Sequence, residues 1–204
     1  MKILIACEFS GVVRRAFRKL GHDAFSCDLE PADDWTNHHF QGDVLPHLDF
    51  GWDMLIAHPP CTFLSHSGAK HLYKGMKKEN GIDPERWSNM EAGAEFFLKL
   101  WNAPVARICI ENPIMHGHAK AIVGTQQTQT IEPWQFGHLE QKATCLWLKG
   151  LPPLFETDNV YDEMMELDYA ERAKVHNYAP GPDRWKLRSR TYEGIADAMA
   201  YQWG

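Results

Sequence analysis

Residues 58–63, His-Pro-Pro-Cys-Thr-Phe, combine a thiol with a rigid loop. They follow the apolar run 53–57, which predicts a buried strand that ends at the paired prolines. Pro59 and Pro60 fix their φ angles and donate no N–H, so they can hold a stiff extended loop. Cys61 would then lie at the carboxyl edge of a sheet, where α/β folds bind ligands, as a candidate nucleophile. The alternative is a structural cysteine buried in the core.

Other predicted strands also end in residue types that bind ligands. In chain order, the five strand ends carry Phe9-Ser10-Gly11, Asp28, Asp43, Cys61 and Glu111. The carboxyl ends of parallel strands lie along one edge, so these groups are expected to converge on one cleft. Gly11, between a strand and a helix, would let a ligand approach the backbone at the helix N-terminus. Asp28 has the acidic character that suits hydrogen bonding to ribose hydroxyls.

An alternation of strands and helices positions these groups. The pattern predicts strands at 2–7, 24–27, 53–57 and 105–110, a short strand that ends near 42–43, and helices at 12–20, roughly 86–101 and 194–203. Gly21 ends the first helix, and Asp83-Pro84 opens the second. Residues 144–148 read as one strand of a hairpin-like pair, and 161–175 could hold one short helix. This order predicts an α/β fold with a mostly parallel sheet and helices on both faces.

The composition is that of an ordinary globular protein. The 204 residues predict one domain, with 44% hydrophobic and 24% charged residues. No stretch approaches the length of a membrane span, so no membrane partner is expected, and the first residues lead into a strand rather than a signal peptide. The five cysteines show no metal-site spacing, and their odd number argues against a disulfide framework. We therefore expect a reducing, cytoplasmic setting and no metal.

The formal net charge of −6 does not favour a surface that grips a polyanion everywhere. The basic residues are nevertheless clustered, in the groups Arg14, Arg15, Arg18 and Lys19; Lys70, Lys74, Lys77 and Lys78; and Arg184, Lys186, Arg188 and Arg190. Charge runs usually form solvated surface. The third group includes Trp185 and precedes a helix, so phosphate contacts are predicted there.

The chain resembles the C5-cytosine DNA methyltransferases, which use S-adenosylmethionine. The segments that carry the resemblance are Ala6-Cys7-Glu8-Phe9-Ser10-Gly11, Asp28, Gly42-Asp43-Val44, Pro60-Cys61, Glu111-Asn112-Pro113, Phe136-Gly137 with Gln141-Lys142-Ala143-Thr144, and Thr191 with Gly194-Ile195-Ala196. Cys61 followed by Glu111-Asn112 is the most specific part. The chain also looks like a compact group of phage and prophage methyltransferase-like proteins.

The resemblance implies a Rossmann-like S-adenosylmethionine-dependent methyltransferase fold over 1–204, acting on DNA in the cytoplasm, or the host cytoplasm if phage-encoded. It assigns Cys61 and Glu111 as catalytic. It assigns the cofactor to Phe9, Ser10, Gly11, Asp28, Asp43, Val44 and Pro59. Covalent attack by a Cys61 thiolate at C6 would activate cytosine, while Glu111 holds or donates a proton at N3. Such a carboxyl needs a raised pKa, which a closed, partly apolar site can provide.

The sequence departs from the family pattern at several positions. Val13 stands where the family usually has glycine, Cys7 where it often has Asp, and Pro113 where it has Val. Lys142 and Thr144 replace arginines. The segment at about 151–190, where the family houses a larger recognition domain, is short. The substrate is therefore expected to be DNA bound with weak sequence preference, or a single strand or nucleotide, which is cheaper to present than a base flipped from a duplex. The oligomeric state stays open.

Three alternative interpretations have some support in the sequence. Amino-methyltransferases carry Asp-Pro-Pro-Tyr-type loops, but Cys61 replaces the aromatic residue here, and Glu111 has no role in that chemistry. His58, Cys61, His66 and His71 could suggest zinc, although their spacing matches no closed site. A catalytically idle protein that binds DNA or a partner is the third. The retained Cys61 and Glu111 argue against it, and the acidic charge and short recognition segment argue for it.

Overall fold

The computed structural model describes residues 1–204 and joins seven strands in one sheet. The strands are β1 (Lys2–Ala6), β2 (Asp23–Asp28), β3 (His39–Gln41), β4 (Met54–Ala57), β5 (Arg107–Asn112), β6 (Gln129–Ile131) and β7 (Thr144–Lys149). Their order across the sheet is β3-β2-β1-β4-β5-β7-β6. β7 is antiparallel to β5 and β6, and every other neighbouring pair is parallel. The predicted α/β class is confirmed, and the fold is Rossmann-like.

The strand order reverses at β1. The chain runs outward from β1 to β2 and β3, then returns to the other side of β1 with β4 and β5. In open α/β sheets this reversal leaves a crevice beyond the carboxyl ends of the strands. The loops that follow β1, β4 and β5 therefore border one crevice.

Helices cover both faces of the sheet. They are α1 (Val12–Lys19), α2 (Pro84–Trp101), α3 (Gly117–Val123), α4 (Tyr161–Met165), α5 (Tyr169–Arg172), α6 (Lys174–Asn177), α7 (Arg184–Ser189) and α8 (Glu193–Trp203). Short 3-10 turns occupy Leu45–His47, His66–Leu72, Lys74–Met76, Lys78–Asn80 and Pro133–Gln135. No helix is both long enough and apolar enough to cross a membrane.

Alternating side chains of the strands supply two cores, one on each face of the sheet. Leu4 and Leu55 pack with α2 and α3 on one face. Ile3, Ile5 and Ile56 pack with α1 and α8 on the other. Because both faces are covered, these strands are continuously apolar, as parallel strands usually are. Each fully buried aliphatic side chain contributes roughly 1.5–3 kcal/mol, so the two cores fix the strands whose ends form the crevice.

Two predicted helix boundaries and one predicted strand pair agree closely with the structure. The Asp83 side chain caps α2 by accepting the N–H of Arg86, and Gly21 has a φ of 84° just after α1. The predicted hairpin-like pair is β6 with β7.

The prediction of one short helix over 161–175 was wrong, because the segment holds α4, α5 and the start of α6. These helices, together with α3 and α7, are too short to show a clear helical period in the sequence.

Candidate active site

The end of β4 lies beside the end of β5 in a fixed register. Ala57 is paired with Ile110, so His58 and Glu111 are the next residues on the two strands. The His58 N–H donates to the carbonyl of Ala6 at 2.9 Å, which continues the pairing of β4 with β1. The expected convergence of strand ends is therefore observed for β1, β4 and β5.

Cys61 lies on a turn that is attached to the segment after β5. Its carbonyl accepts the N–H groups of Leu64 at 3.1 Å and Ser65 at 3.0 Å. The amide of Asn112 donates to the carbonyl of Pro59 at 3.1 Å. The thiol is free and half-buried. The hydrogen bond from Asn112 therefore attaches the loop that carries the predicted nucleophile to the strand that carries Glu111.

Opposing effects act on the pKa of the Cys61 thiol. Burial raises its pKa above the ordinary value, while the positive charges of Arg188 and Lys142 act to lower it. The net direction is upward, so the resting side chain is a protonated thiol at neutral pH. Turnover by the predicted route therefore needs the thiol to lose its proton on the way to attack.

Glu111 does not have the raised pKa that the sequence led us to expect. Burial alone would raise the pKa of its carboxyl, but contact with the His58 imidazole and the charge of Lys142 lower it on balance. His58 Nδ1 lies 3.1 Å from Glu111 Oε2. The expectation was wrong because His58 lies against this carboxyl, a contact that no motif in the sequence indicates.

Lys142 and Arg188 are the cations of this site. The Lys142 ammonium lies 5.5 Å from the centre of the Tyr192 ring and donates to the Arg190 carbonyl at 3.4 Å. The sequence treated Lys142 only as a replacement for an arginine and assigned Arg188 to phosphate contact. The effect of Arg188 on Cys61 depends on how the chain after β7 folds back, and that of Lys142 depends on where the segment before β7 lies. No local motif reports either position.

The loop after β1 is more crowded than expected. Gly11 has a φ of 67°, and a Cβ there would collide with the buried Arg14 guanidinium. The Glu8 carboxylate accepts the N–H groups of Val13 at 2.7 Å and Arg14 at 3.3 Å. Glu8 therefore occupies two of the amides at the start of α1, the helix terminus where the sequence predicts that a ligand approaches the backbone beside Gly11.

Phe9 and Ser10, predicted to bind the cofactor, are both buried. The Phe9 ring meets Trp185 edge-to-face at 5.7 Å between centroids. Lys186 and Arg190 also lie over the ring, at 5.8 Å and 5.9 Å from its centroid. Helix α7 thus covers the loop after β1.

Two acidic strand ends lie together beside Cys7. Burial and the charges of Asp28 and Asp43 raise the pKa of the Cys7 thiol. Asp28 is half-buried and accepts one N–H, from Glu30 at 2.9 Å; burial raises its pKa. Asp43 is exposed and accepts the N–H of Leu45 at 3.0 Å. Both carboxylates keep acceptor capacity for hydroxyl or amino donors of a ligand. Val44 is buried beside them, and Pro59 is buried at the neighbouring loop.

Most of the basic group predicted to contact phosphates makes contacts within the protein. Lys186 pairs with Glu30 at 2.7 Å, and Arg190 pairs with Asp33. Arg184 donates to the carbonyls of Tyr178 and His176. Arg188 alone among the four has no hydrogen bond or ion pair. These contacts leave three of the four less suited to phosphate binding than the sequence suggested.

A second basic surface is free of such contacts. Lys70, Lys74, Lys77 and Lys78 are all exposed, and none takes part in an ion pair. They belong to the segment between Cys61 and α2. We call this set the lysine surface. No group of three or more His, Cys, Asp or Glu side chains is arranged to hold a metal ion.

No protein-family model matches this sequence, and no curated protein matches it. Several solved structures resemble it, among them the following two. One is a protein encoded within an E. coli prophage and provisionally described as a DNA modification methyltransferase, with 14% identity, a TM-score of 0.44, and coverage of 82% of this chain and 55% of that one. The other is the Entamoeba histolytica methyltransferase EhMeth, with 13% identity, a TM-score of 0.43, and coverage of 77% and 57%. The chain spans little more than half the length of either protein.

Proposed function

We propose that this chain transfers a methyl group from S-adenosylmethionine to C5 of cytosine in DNA, through a covalent adduct with Cys61. The observation that carries the proposal is the parallel pairing of β4 with β5, because the loop that carries Cys61 and the residue Glu111 then leave the same edge of the sheet. Register places Glu111 beside His58, three residues before Cys61, and Asn112 ties the two loops together. A thiol and a carboxyl at one crevice are the pair that nucleophilic activation of a pyrimidine requires.

The chemistry follows from the electron demand of the base. Cytosine C5 is a poor nucleophile, so attack of a thiolate at C6 must first activate the ring. Glu111 would place a proton at N3, so that the ring accepts the electron pair without a full negative charge. Lys142 and Arg188 favour the thiolate form of Cys61, because their charges oppose the effect of burial on its pKa.

The crevice residues fit an adenosyl ligand in part. Asp28 keeps free acceptor capacity beside a buried thiol, and Asp43 and Val44 follow the next strand. These residues would hold the ribose and adenine, and Pro59 would border the transferable group. S-adenosylmethionine supplies an electrophilic methyl on its sulfonium. Because Glu8 occupies the amides of α1, the carboxylate of a methionine moiety would have to be bound away from them.

DNA is proposed as the substrate, bound chiefly through phosphates. The lysine surface and Arg188 present cations without internal partners, and the lysines belong to the segment that follows Cys61 in the chain. The segment 151–190, proposed as a reduced recognition insert in a single domain, carries four short helices, α4 to α7. Phosphate contacts carry no sequence information, so weak sequence preference follows, and a single strand avoids the cost of flipping.

A catalytically idle binding protein is the second candidate. It is favoured by one observation, the Glu8 carboxylate that fills the N-terminus of α1. Under this alternative the DNA affinity would remain while methyl transfer would be absent.

Mass spectrometry of nucleosides from DNA incubated with the protein and labelled S-adenosylmethionine separates the two candidates. We expect labelled 5-methylcytosine with the wild-type protein and none with Cys61→Ser. Duplex and single-stranded DNA of one sequence should be run in parallel. Binding of both DNAs without labelled product would support the idle binding protein and overturn the enzyme assignment.

A further inference from the structure

His58 is a buried histidine that the chemistry above leaves without a role. Its side chain is 11% exposed, and that of Glu111 is 14% exposed. The contact between His58 Nδ1 and Glu111 Oε2 is set by strand register rather than by a flexible loop, since the preceding residues Ala57 and Ile110 are paired. A one-residue slip of β4 against β5 would turn the side chains of one strand to the opposite face and separate His58 from Glu111. The register of the sheet therefore specifies their contact.

The other side of the imidazole is also informative. His58 Nε2 and Glu111 Oε2 are both buried without a hydrogen-bond partner in the protein, and Oε2 has only the ion-pair contact with His58 Nδ1 at 3.1 Å. Buried polar atoms in native proteins are normally paired, so exceptions tend to mark functional groups. An imidazole held for packing alone would gain nothing from an unsatisfied buried nitrogen.

Charged groups reach His58 from each neighbouring element. Glu111 faces it from β5, Glu8 from the loop after β1, and Lys142 from the segment before β7. Burial acts to lower the pKa of His58, and so does Lys142, but the contact with Glu111 and the charge of Glu8 raise it on balance. His58 and Glu111 together therefore hold a proton that neither would hold in the same way alone.

We propose that His58 is a positioning residue for methyl transfer, which stores at Nδ1 the proton that Glu111 presents to N3 of the target cytosine. The proposal rests on the proposed function. It accounts for a carboxyl that is ionised at rest yet must deliver a proton during attack. It also gives a reason for a histidine immediately before Pro59 and Pro60. The stiff loop that carries Cys61 begins at this residue, so the stored proton lies at the base of the loop.

The protons and electrons balance over one cycle. Cys61 loses its proton to solvent and its thiolate forms the Sγ–C6 bond. The C5–C6 double bond moves to C4–C5, and N3 gains an electron pair. A proton passes from His58 Nδ1 to the Glu111 carboxylate and on to N3, which leaves His58 neutral and Glu111 ionised. After methylation at C5, the C5 proton is lost to solvent, the C5–C6 double bond re-forms and the thiolate leaves. The N3 proton then returns to Glu111 and His58.

The first arm of the test does not need turnover. Protein labelled with ¹³C at histidine Cε1 is titrated by NMR, and the His58 signal is identified by its absence from His58→Asn. We expect the His58 signal to titrate above an ordinary histidine and to move to lower pH in Glu111→Gln. A His58 signal that titrates below an ordinary histidine, or is indifferent to Glu111→Gln, overturns the proposal. The shift is read in Glu111→Gln, and His58→Gln assigns the signal if His58→Asn folds poorly.

The second arm measures the pH profile of kcat for methyl transfer in His58→Asn, with His66→Asn as the matched control, because His66 is exposed and its side chain forms no ion pair. Asn can still donate to Glu111 from the position of Nδ1 but cannot pass on a proton. We expect kcat to fall about 10²-fold, with KM little changed, and the alkaline limb of the profile to move to lower pH. An unchanged profile with an active wild-type protein overturns this inference alone. A wild-type protein that makes no 5-methylcytosine overturns the proposed function, and the inference with it.

Discussion

The side-chain amide of Asn112 donates a hydrogen bond to the carbonyl of Pro59 at 3.1 Å, and both residues are buried. Pro60 cannot offer its own N–H to the neighbouring strand, and this side-chain bond ties the loop that β4 leads into to the end of β5. Asn112 therefore controls where Cys61 lies relative to Glu111, although it touches neither the thiol nor the carboxyl in its hydrogen bonding.

The first prediction concerns this bond. Asn112→Ala leaves the Pro59 carbonyl buried and unpaired, which should lower the free energy of unfolding by about 1–3 kcal/mol. Methyl transfer should fall further than stability alone explains, because the loop that carries Cys61 loses its attachment. Urea denaturation gives the first quantity and single-turnover rates the second. Asn112→Asp should be worse than Asn112→Ala, since a carboxylate would face a carbonyl oxygen; the reverse order would show that the bond is not what positions the loop.

The second prediction concerns the cofactor. Asp28 is half-buried at the end of β2 and accepts the N–H of Glu30 through one carboxylate oxygen, so its remaining acceptor capacity should bind ribose hydroxyls. Calorimetry should show that Asp28→Ala weakens binding of S-adenosylmethionine at least tenfold, about 1.4 kcal/mol. Asp23→Ala, an exposed carboxyl at the opposite end of the same strand, is the control and should bind normally. Equal affinities for the two variants would remove Asp28 from the site.

The sequence was sufficient to predict the framework of the site but not its electrostatics. The apolar runs of β1 and β4 and the rule for ligand crevices correctly placed Cys61 and Glu111 at one edge of the sheet. The contact of His58 with Glu111 could not be predicted, because it depends on the register of β4 with β5 to within one residue.

The position of α7 could not be predicted from the sequence either. It depends on contacts such as that of Arg190 with Asp33, which lie 157 residues apart in the chain. Because the sequence does not show those contacts, it predicts the basic residues of 184–190 to be free cations. Long-range ion pairs leave no periodic or motif signal, so a basic cluster cannot be sorted into structural and binding roles from sequence alone.

The third prediction concerns stability and pH. The buried Arg14 guanidinium pairs with both oxygens of Asp34, at 2.5 Å and 2.6 Å, and donates to Ser26. Burial acts to raise the pKa of Asp34, but its hydrogen bonds and ion pairs with Arg14 and Arg15 lower it on balance. Because the folded pKa is lower than the unfolded one, this stabilisation is present above the unfolded value and is lost as the pH falls through the folded value.

Asp34→Asn should therefore lower the free energy of unfolding at neutral pH by about 3–5 kcal/mol, because it leaves Arg14 buried without a counter-charge. The difference from wild type should shrink as the pH is lowered. Urea denaturation at several pH values measures both effects. Asp49→Asn, at an exposed position with no ion pair, serves as the control. A difference that stays constant with pH would show that the charge of Asp34 is not what stabilises Arg14.

The fourth prediction concerns the DNA surface. The lysine surface has no internal partners, whereas Lys186 and Arg190 are paired with Glu30 and Asp33. Lys74→Gln with Lys77→Gln should weaken DNA binding and reduce the slope of log affinity against log salt by about 1 per lysine that contacts a phosphate. Fluorescence anisotropy over a range of salt concentrations measures the slope. The matched variant Lys186→Gln should leave it nearly unchanged; a larger loss from Lys186→Gln would place the phosphate contacts on α7.

The last prediction separates a nucleophile from a structural thiol. If Cys61 attacks C6, DNA with fluorine at C5 of cytosine should trap a covalent complex, because the elimination step cannot remove fluorine as a cation. Peptide mass spectrometry should locate the adduct on Cys61, although the chain has four other cysteines, three of them fully buried. Cys61→Ser should abolish trapping and turnover while cofactor binding and folding remain, since the change is nearly isosteric.

Glu111→Gln should slow trapping by about 10²–10⁴-fold, because an amide cannot give N3 the proton that a carboxyl passes on. Trapping should be faster at higher pH up to the point where the pair of His58 and Glu111 loses its proton, since burial keeps Cys61 protonated at rest. Methyl transfer that survives in Cys61→Ser would exclude the covalent route. Loss of the folded state in Cys61→Ser, seen by circular dichroism, would instead assign the thiol a structural role at the crevice.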